Sequence, residues 1–164
     1  MRRSKMPVGA LIVLLCACVP AERDVTGSFD RASVESSVRA AMASYAAALE
    51  ALDSARILGH YVAGPEFRLV IDGTSNSYQD MQRTIGNLPR VLREEEVHWD
   101  TLVVNALGPD AGLVYAPFRR IDTDTAGQVA RIRGVATWLW IRRDGQWRSV
   151  YGHADHYPDT TTMQ

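Results

Sequence analysis

The second half of the chain consists of long runs of β-branched and aromatic residues separated by short turn sequences. Gly108-Pro109-Asp110 and Arg143-Asp144-Gly145 are typical of turns that join antiparallel strands. The runs predict strands over roughly 92–107, 112–121, 129–142 and 147–157. A chain with this much extended apolar sequence must pair its strands and cover at least one face of the resulting sheet.

The first half of the chain has the spacing of amphipathic helices. One long helix is predicted by apolar side chains that recur every three or four residues, at Val34, Val38, Met42, Tyr45, Leu49 and Leu52. A second, short helix begins at Asp53-Ser54 and a third at Ser77, with a short strand over 67–71 between them. These patterns predict an α+β fold in which three helices pack on one face of a strongly curved, mainly antiparallel sheet.

The N-terminal residues have the features of a bacterial export signal. Three basic residues open the chain: Arg2, Arg3 and Lys5. The apolar stretch that follows, over 8–15, is too short to span a bilayer. Leu15-Cys16-Ala17-Cys18 then resembles the lipobox of bacterial lipoproteins, in which Cys18 would be the lipidated residue.

This processing would determine the division of the chain and its location. We expect a signal peptide over 1–17, a lipidated cysteine and tether over 18–30, one folded domain over 31–157 and a disordered tail over 158–164. The lipid would hold the domain at a membrane of the bacterial cell envelope, on its extracytoplasmic side. Two alternatives remain open: ordinary signal-peptidase cleavage near Val19-Pro20-Ala21, and an N-terminal strand buried in the domain.

Composition and charge exclude several kinds of function. The formal net charge of -1 gives no electrostatic basis for binding nucleic acid. Cleavage before Cys18 would remove the other cysteine, Cys16, and the only lysine, Lys5, so the mature domain would have no cysteine nucleophile, disulfide or Schiff-base lysine. Any catalysis would depend on His, Asp, Glu, Tyr or Ser side chains or on a cofactor, and we expect no cofactor.

The order of the predicted elements, together with the last hairpin, resembles a known family. Arg133-Gly134-Val135-Ala136-Thr137 leads to the turn at Arg143-Asp144-Gly145, which is followed by Trp147 and then by His153 on the final strand. In this arrangement the chain resembles, over 32–157, the nuclear transport factor 2-like and SnoaL-like domains. The resemblance implies a cone-shaped α+β fold whose interior holds a small molecule.

His153 is the first candidate for acid–base chemistry. Period-two alternation places it on one face of the final strand with Trp147, Ser149, Tyr151 and Asp155. If that face lines the cone, His153 and Tyr151 could form an acid–base or ligand-orienting pair. The alternative is a strand face turned to solvent or to a partner. The family often has His-x-Ser here, whereas this chain has Asp155 two residues after His153.

His98 and Asp100 form a second candidate catalytic pair. They share one face of the first long strand, where a carboxylate could orient an imidazole for proton transfer. The same spacing is common by chance, and the pair could equally lie at the solvated end of that face.

Metal binding is not predicted. His153-x-Asp155-His156 contains suitable ligand types, but in a strand His156 points away from the other two side chains, which leaves only two ligands together.

Five aromatic residues are candidates for the wall of the pocket: Tyr45, Tyr61, Trp138, Trp140 and Trp147. Packing in an ordinary core would explain them equally well.

The third long strand is apolar on both faces, because Trp138 and Trp140 alternate with Leu139 and Ile141. One face would be covered by the helices and the other by a second copy of the chain, so we expect a homodimer.

Four arginines on neighbouring strands, at positions 119, 120, 131 and 133, suggest a basic patch. Asp122 and Asp124 interleave it, so solvated cross-strand charge pairing is the expected role of these arginines.

The sequence therefore predicts an envelope domain that binds a small hydrophobic molecule or serves an accessory role. A cofactor-free isomerase, cyclase or hydrolase of the SnoaL-like kind is one alternative, and a structural dimerisation module is the other.

Overall fold

The described part of the chain contains three helices and seven strands, two strands more than predicted, and their order otherwise follows the prediction. The computed structural model describes residues 29–158. The helices are α1 (Arg31–Glu50), α2 (Ser54–Gly59) and α3 (Tyr78–Val91). The strands are β1 (Arg68–Ile71), β2 (Thr74–Asn76), β3 (Leu92–Trp99), β4 (Val103–Gly108), β5 (Ala111–Asp124), β6 (Val129–Arg143) and β7 (Gln146–Pro158). The predicted signal peptide, Cys18 and nearly all of the predicted tether and tail lie outside the described residues.

Local side-chain hydrogen bonds begin each helix where the sequence predicts. The side chains of Asp30, Asp53 and Ser77 each accept a backbone N–H from the first turn of the following helix. Asp80 completes a capping box, because its carboxylate accepts the backbone N–H of Ser77 over 2.8 Å. None of the helices within residues 29–158 is both long enough and apolar enough to cross a bilayer.

The strands form one sheet in the order β2-β1-β7-β6-β5-β3, with β4 also paired to β5. All pairings are antiparallel except that of β1 with β7, which is parallel. The long helix α1 packs across β3, β4, β5 and β7, while α3 packs on β2 and β3. The α+β prediction is confirmed, and the helices cover one face of the sheet.

The first long strand of the prediction, over 92–107, is two strands. Trp99 lies opposite Phe118, but Val103 lies opposite Tyr115, so the chain inserts one extra residue between β3 and β4. Such an insertion bends a sheet and lets successive strands follow a curved partner. β3 and β4 therefore pair with different halves of the long strand β5.

The final strand also contains an extra residue. Leu139 lies opposite Tyr151 and Trp140 lies opposite Ser149, which leaves Val150 without a register partner. Side-chain alternation therefore changes phase at Val150. Before the change, Ser149 faces the helices. After it, Gly152 and Ala154 face the helices, whereas Tyr151 faces outward.

Two glycines allow aromatic rings to lie directly on the inner face of the sheet. A Cβ atom on Gly152 would lie 2.5 Å from the ring of Trp138, and one on Gly134 would lie 2.3 Å from the ring of Phe118. Trp138 is 4% exposed and Phe118 is 6% exposed. These close approaches explain why the strand that carries the predicted family motif has glycine at 134.

Candidate functional site

A cavity of about 170 Å³ lies between the helices and the inner face of the sheet. Its wall is mainly apolar, with Leu49 from α1, Met81, Ile85 and Leu88 from α3, and Phe118 and Trp138 from the sheet. Pockets of this type bind small molecules by apolar contact and orient them with a few polar groups. The polar side chains in this wall therefore indicate what the cavity can do.

The most buried of these polar groups is the carboxyl of Glu95 on β3. Its residue is 4% exposed, and β5 places Asp122 directly opposite Glu95 and Arg120 two positions earlier. Arg120 Nη2 lies 2.9 Å from Asp122 Oδ2, whereas Arg120 Nη1 lies 3.8 Å from Glu95 Oε1. The guanidinium therefore forms a close ion pair with Asp122 and lies beyond hydrogen-bond distance of Glu95.

This difference in contacts changes the protonation of Glu95. Burial raises the pKa of Glu95 to about 7; the charge of Arg120 opposes this rise, and the nearby Asp122 and Glu50 add to it. Glu95 is thus a carboxyl group in an apolar cavity that gains and loses a proton near neutral pH. A perturbed carboxyl in a cleft is a typical candidate for an acid or base.

A hydrogen-bonded pair of tyrosines forms another polar part of the wall. The hydroxyl oxygens of Tyr45 and Tyr61 lie 2.7 Å apart, and both residues are buried. Burial raises the pKa of Tyr45 to about 12 and also raises the pKa of Tyr61 well above its ordinary value. Both hydroxyls stay protonated, and their mutual hydrogen bond uses only one of the two protons. The pair can therefore donate the other proton to a ligand oxygen.

Three of the five predicted ligand-binding aromatics line the cavity. Tyr45, Tyr61 and Trp138 lie in its wall, and Tyr61 stacks on Trp138 with ring centroids 6.2 Å apart. The prediction that Trp140 and Trp147 line the cavity is wrong. Trp140 is 1% exposed and packs in the core. Trp147 contacts Arg142 beside the turn that joins β6 to β7, away from the cavity wall.

Tyr151 and His153 do not face the cavity, which corrects the prediction of an acid–base pair there. Tyr151 is 44% exposed, and the side chain of His153 is 42% exposed with Nε2 3.8 Å from Asp155. The extra residue at Val150 turns both side chains to the outer face of the sheet. His156 points away from His153 and Asp155, as predicted, and this direction places it in the cavity wall.

His98 and Asp100 also lie outside the cavity wall, so the structure does not support their predicted catalytic role there. His98 Nε2 is 3.7 Å from Asp100 Oδ1, but their side chains are 66% and 39% exposed. Asp100 accepts a 2.6 Å hydrogen bond from Arg119, which is the cross-strand pairing predicted for that arginine. The prediction is wrong for Arg120, because this arginine faces the cavity.

Glu95 and Arg120, which the sequence analysis did not place in the cavity, have a recognisable pattern in the sequence. Glu95 shares its strand face with the apolar Val97 and Trp99, and Arg120 continues the inward series of β5 through Ala116 and Phe118. Polar residues that occupy apolar alternation positions are expensive to bury and for that reason indicate a site. Within residues 29–158, no group of three or more His, Cys, Asp or Glu side chains is placed to hold a metal ion.

Comparisons with known proteins identify the fold. No protein-family model matches the chain, and no curated protein matches its sequence. A candidate scytalone dehydratase from Novosphingobium aromaticivorans has a similar structure at 12% identity, with a TM-score of 0.71 over 77% of this chain and 85% of that chain.

Two further structures give the same result. A nuclear transport factor 2-like superfamily protein from Salmonella enterica serovar Typhimurium is 13% identical, with a TM-score of 0.66 over 81% of this chain and 97% of that chain. The hexachlorocyclohexane dehydrochlorinase LinA, type 2, is 13% identical, with a TM-score of 0.64 over 79% of this chain and 91% of that chain. The chain therefore has the cone-shaped fold of the nuclear transport factor 2-like superfamily.

Proposed function

We propose that this domain binds a small, neutral, mainly apolar carbonyl compound in its cone and transfers a proton to or from that compound through Glu95, without a bound cofactor. The observation that carries the proposal is the position of Glu95, whose carboxyl lies in an apolar cavity wall without a close hydrogen-bonding cation.

The charges around the cavity favour a neutral ligand. Arg120 is balanced by its close partner Asp122, so its positive charge is already compensated. An anionic ligand would meet the Glu95 carboxylate without a free cation among the wall residues of the described chain. A mainly apolar molecule also matches the aromatic and aliphatic side chains that make up most of the wall.

The proposed proton transfer uses two groups of the wall. The bond between hydrogen and a carbon next to the ligand carbonyl breaks, and the proton moves to the Glu95 carboxylate. The electron pair moves toward the carbonyl oxygen, which accepts the hydroxyl proton left over by the Tyr45 and Tyr61 pair. The reaction class is that of a cofactor-free isomerase or lyase, with hydrolysis as the related case in which Glu95 takes the proton from water.

Structural relatives support the use of this fold for chemistry. A candidate scytalone dehydratase and the dehydrochlorinase LinA share the cone. Sequence identities of 12% and 13% establish only a shared fold, so the proposed role of Glu95 in proton transfer rests on the geometry of this chain.

The test uses 2-tetralone, a neutral bicyclic ketone with exchangeable hydrogens next to its carbonyl. Binding is followed by quenching of tryptophan fluorescence, and exchange of the α-hydrogens in D₂O is followed by NMR. We expect the wild type and the exposed-neighbour control Glu96→Gln to bind and exchange the probe. Glu95→Gln should bind it with similar affinity, and the exchange rate above buffer should fall at least about tenfold at one or both α-positions of the probe.

Two outcomes separate the parts of this proposal. Exchange by Glu95→Gln at the wild-type rate would contradict the role of Glu95. Binding of 2-tetralone by the wild type without any exchange would contradict proton transfer and leave a ligand-binding domain, which is the main prediction from the sequence.

We also propose that the domain is exported and anchored through Cys18. The support is the order of basic residues, apolar stretch and lipobox-like sequence at the N-terminus. Labelled palmitate should enter the wild-type protein expressed in a bacterium and should be absent from Cys18→Ala. Label retained by the variant would refute the anchor.

A homodimer through the outer face of the sheet is a separate proposal. Leu113, Leu139 and Tyr151 form one cross-strand row on that face, and Tyr115 lies in the next row. Leu113, Tyr115 and Tyr151 are 36%, 45% and 44% exposed, which is unusual for neighbouring large apolar residues on a monomer. Light scattering should give twice the chain mass for the wild type and the chain mass for Tyr115→Glu; a monomeric wild type would contradict the proposal.

A further inference from the structure

A second titratable pair lies at the rim of the same cavity. β1 runs parallel to β7, and its last residue, Ile71, lies opposite Ala154. Asp72 follows, and its N–H donates to the Ala154 carbonyl over 3.0 Å. The Asp72 carboxylate accepts the backbone N–H of His156 over 2.7 Å, and its two oxygens lie 3.2 and 3.1 Å from His156 Nδ1. The parallel pairing thus brings this carboxylate to a histidine distant in sequence.

This contact determines which nitrogen of His156 is available to a ligand. Because an ionised carboxylate only accepts hydrogen bonds, Nδ1 of the neutral ring carries the proton and Nε2 keeps its lone pair. Nε2 has no hydrogen-bond partner within residues 29–158. The ring packs edge-on against Phe118, with centroids 5.4 Å apart, and the side chain is 21% exposed where it lines the cavity.

Asp72 is held in its ionised form. Burial opposes ionisation, but the hydrogen bonds from His156, its charge when protonated and the charge of Arg120 outweigh burial and lower the pKa of Asp72. An ionised carboxylate at Nδ1 orients an imidazole and stabilises it once protonated, which makes Nε2 a better proton acceptor. Asp72 from the β1–β2 turn is the charged group in contact with His156, and Arg120 from β5 acts on Asp72 at longer range.

We propose that His156 is a second proton-transferring group of this cavity, with Asp72 as its positioning residue. The inference rests on the proposed function and deepens it, because it requires a ligand with a second exchangeable hydrogen near the rim. That hydrogen leaves as a proton to Nε2, and the electron pair of the broken bond moves toward the ligand carbonyl. The imidazolium then returns the proton to the ligand or to water. Glu95 and His156 act from different strands, β3 and β7, so one ligand can exchange protons at two positions.

The test compares Asp72→Asn and His156→Gln with His153→Gln, a matched control on the outer face of β7. Asp72→Asn keeps an oxygen for the His156 backbone N–H, and asparagine tolerates the positive φ of 49° at this position. Histidine ¹⁵N NMR reports the tautomer of His156, and α-hydrogen exchange of 2-tetralone reports proton transfer. Tryptophan fluorescence gives the affinity for the probe in each variant.

We expect the neutral His156 ring to carry its proton on Nδ1 in the wild type and to lose part of this tautomer preference in Asp72→Asn, whose amide can donate to Nδ1. Both Asp72→Asn and His156→Gln should lower the exchange rate at one of the two α-positions of 2-tetralone at least about tenfold, with little change in affinity. His153→Gln should match the wild type. If Asp72 and His156 only tied β1 to β7, the variants would alter stability without changing both the tautomer of His156 and the exchange rate.

Different results overturn different parts of the account. A neutral His156 with its proton on Nε2 overturns the inference, as does wild-type exchange in both Asp72→Asn and His156→Gln. If exchange is lost in Glu95→Gln and kept in the His156 variant, this inference fails and the proposed function stands. If the wild type binds 2-tetralone and exchanges nothing, the proposed function fails and the reactive role of His156 fails with it.

Discussion

Arg120 Nη1 lies 3.8 Å from Glu95 Oε1, close enough to attract the carboxylate and too far to hydrogen-bond to it. The guanidinium is held in this position by Asp122, whose Oδ2 lies 2.9 Å from Arg120 Nη2. One carboxyl of the cluster is thus paired, while burial raises the pKa of the other, Glu95, to about 7. Carboxyl groups with such different surroundings are suited to different roles in acid–base chemistry.

The first prediction concerns stability and pH. The folded state raises the pKa of Glu95 from 4.5 to about 7, so it disfavours the charged form. Wild-type stability from this group is therefore full below about pH 4.5 and is lost as pH rises through about 7. Glu95→Gln has no such loss, and we expect it to gain on the order of 2–3 kcal/mol relative to the wild type between pH 5 and pH 8.

Urea unfolding at a series of pH values checks this prediction, with Glu96→Gln as the exposed control. The control should follow the wild-type curve. A difference between Glu95→Gln and the wild type that stays constant from pH 5 to pH 8 would show that Glu95 titrates normally.

The second prediction concerns the end of α3. Pro89 has no N–H to donate to the carbonyl of Ile85 one turn earlier, and the hydroxyl of Ser54 donates to that carbonyl over 2.7 Å instead. Ser54→Ala should cost about 1–2 kcal/mol of unfolding free energy, because the partly buried carbonyl loses its donor. In a Pro89→Ala background, residue 89 regains an N–H, and the same substitution should cost less than about 0.5 kcal/mol.

A double-mutant cycle by chemical denaturation measures this coupling. Equal costs of Ser54→Ala in the two backgrounds would mean that the hydroxyl does not replace the missing helical donor.

The third prediction concerns the floor of the cavity. A methyl group at position 152 would lie 2.5 Å from the Trp138 ring and 2.8 Å from Leu69, so Gly152→Ala should cost about 2–3 kcal/mol. Gly86→Ala is the matched control, since a Cβ there meets no atom within 4 Å and the residue lies inside α3. The control should gain about 0.5–1 kcal/mol. Thermal unfolding of both variants decides; a Gly152→Ala as stable as the wild type would contradict the close contact.

The fold was predictable from the sequence because its signals are local. The cap residues Asp53 and Ser77, the turns and the spacing of apolar residues each act within a few positions, and they agree with one another. A resemblance carried by Gly134 and the final hairpin then indicated the cone, which structural comparison confirms.

The site was harder to predict because it depends on register between distant strands. One unpaired residue, Val150, reverses the faces of Tyr151 and His153 and brings His156 inward. Arg120 looks like a surface residue beside Arg119, and only the inward series of β5 places it opposite Val97 in the cavity wall. Strand insertions of this kind follow from sheet curvature and leave little trace in a single sequence.

The most direct test of the central claim is the pH dependence of 2-tetralone exchange by the wild type and Glu95→Gln. A base must be ionised to accept a proton, so the wild-type rate above buffer should rise with pH and level off above about pH 7, the pKa to which burial raises Glu95. In Glu95→Gln this rise should be missing at one or both α-positions of the probe. A variant with the same rate and the same pH profile as the wild type would contradict proton transfer by Glu95.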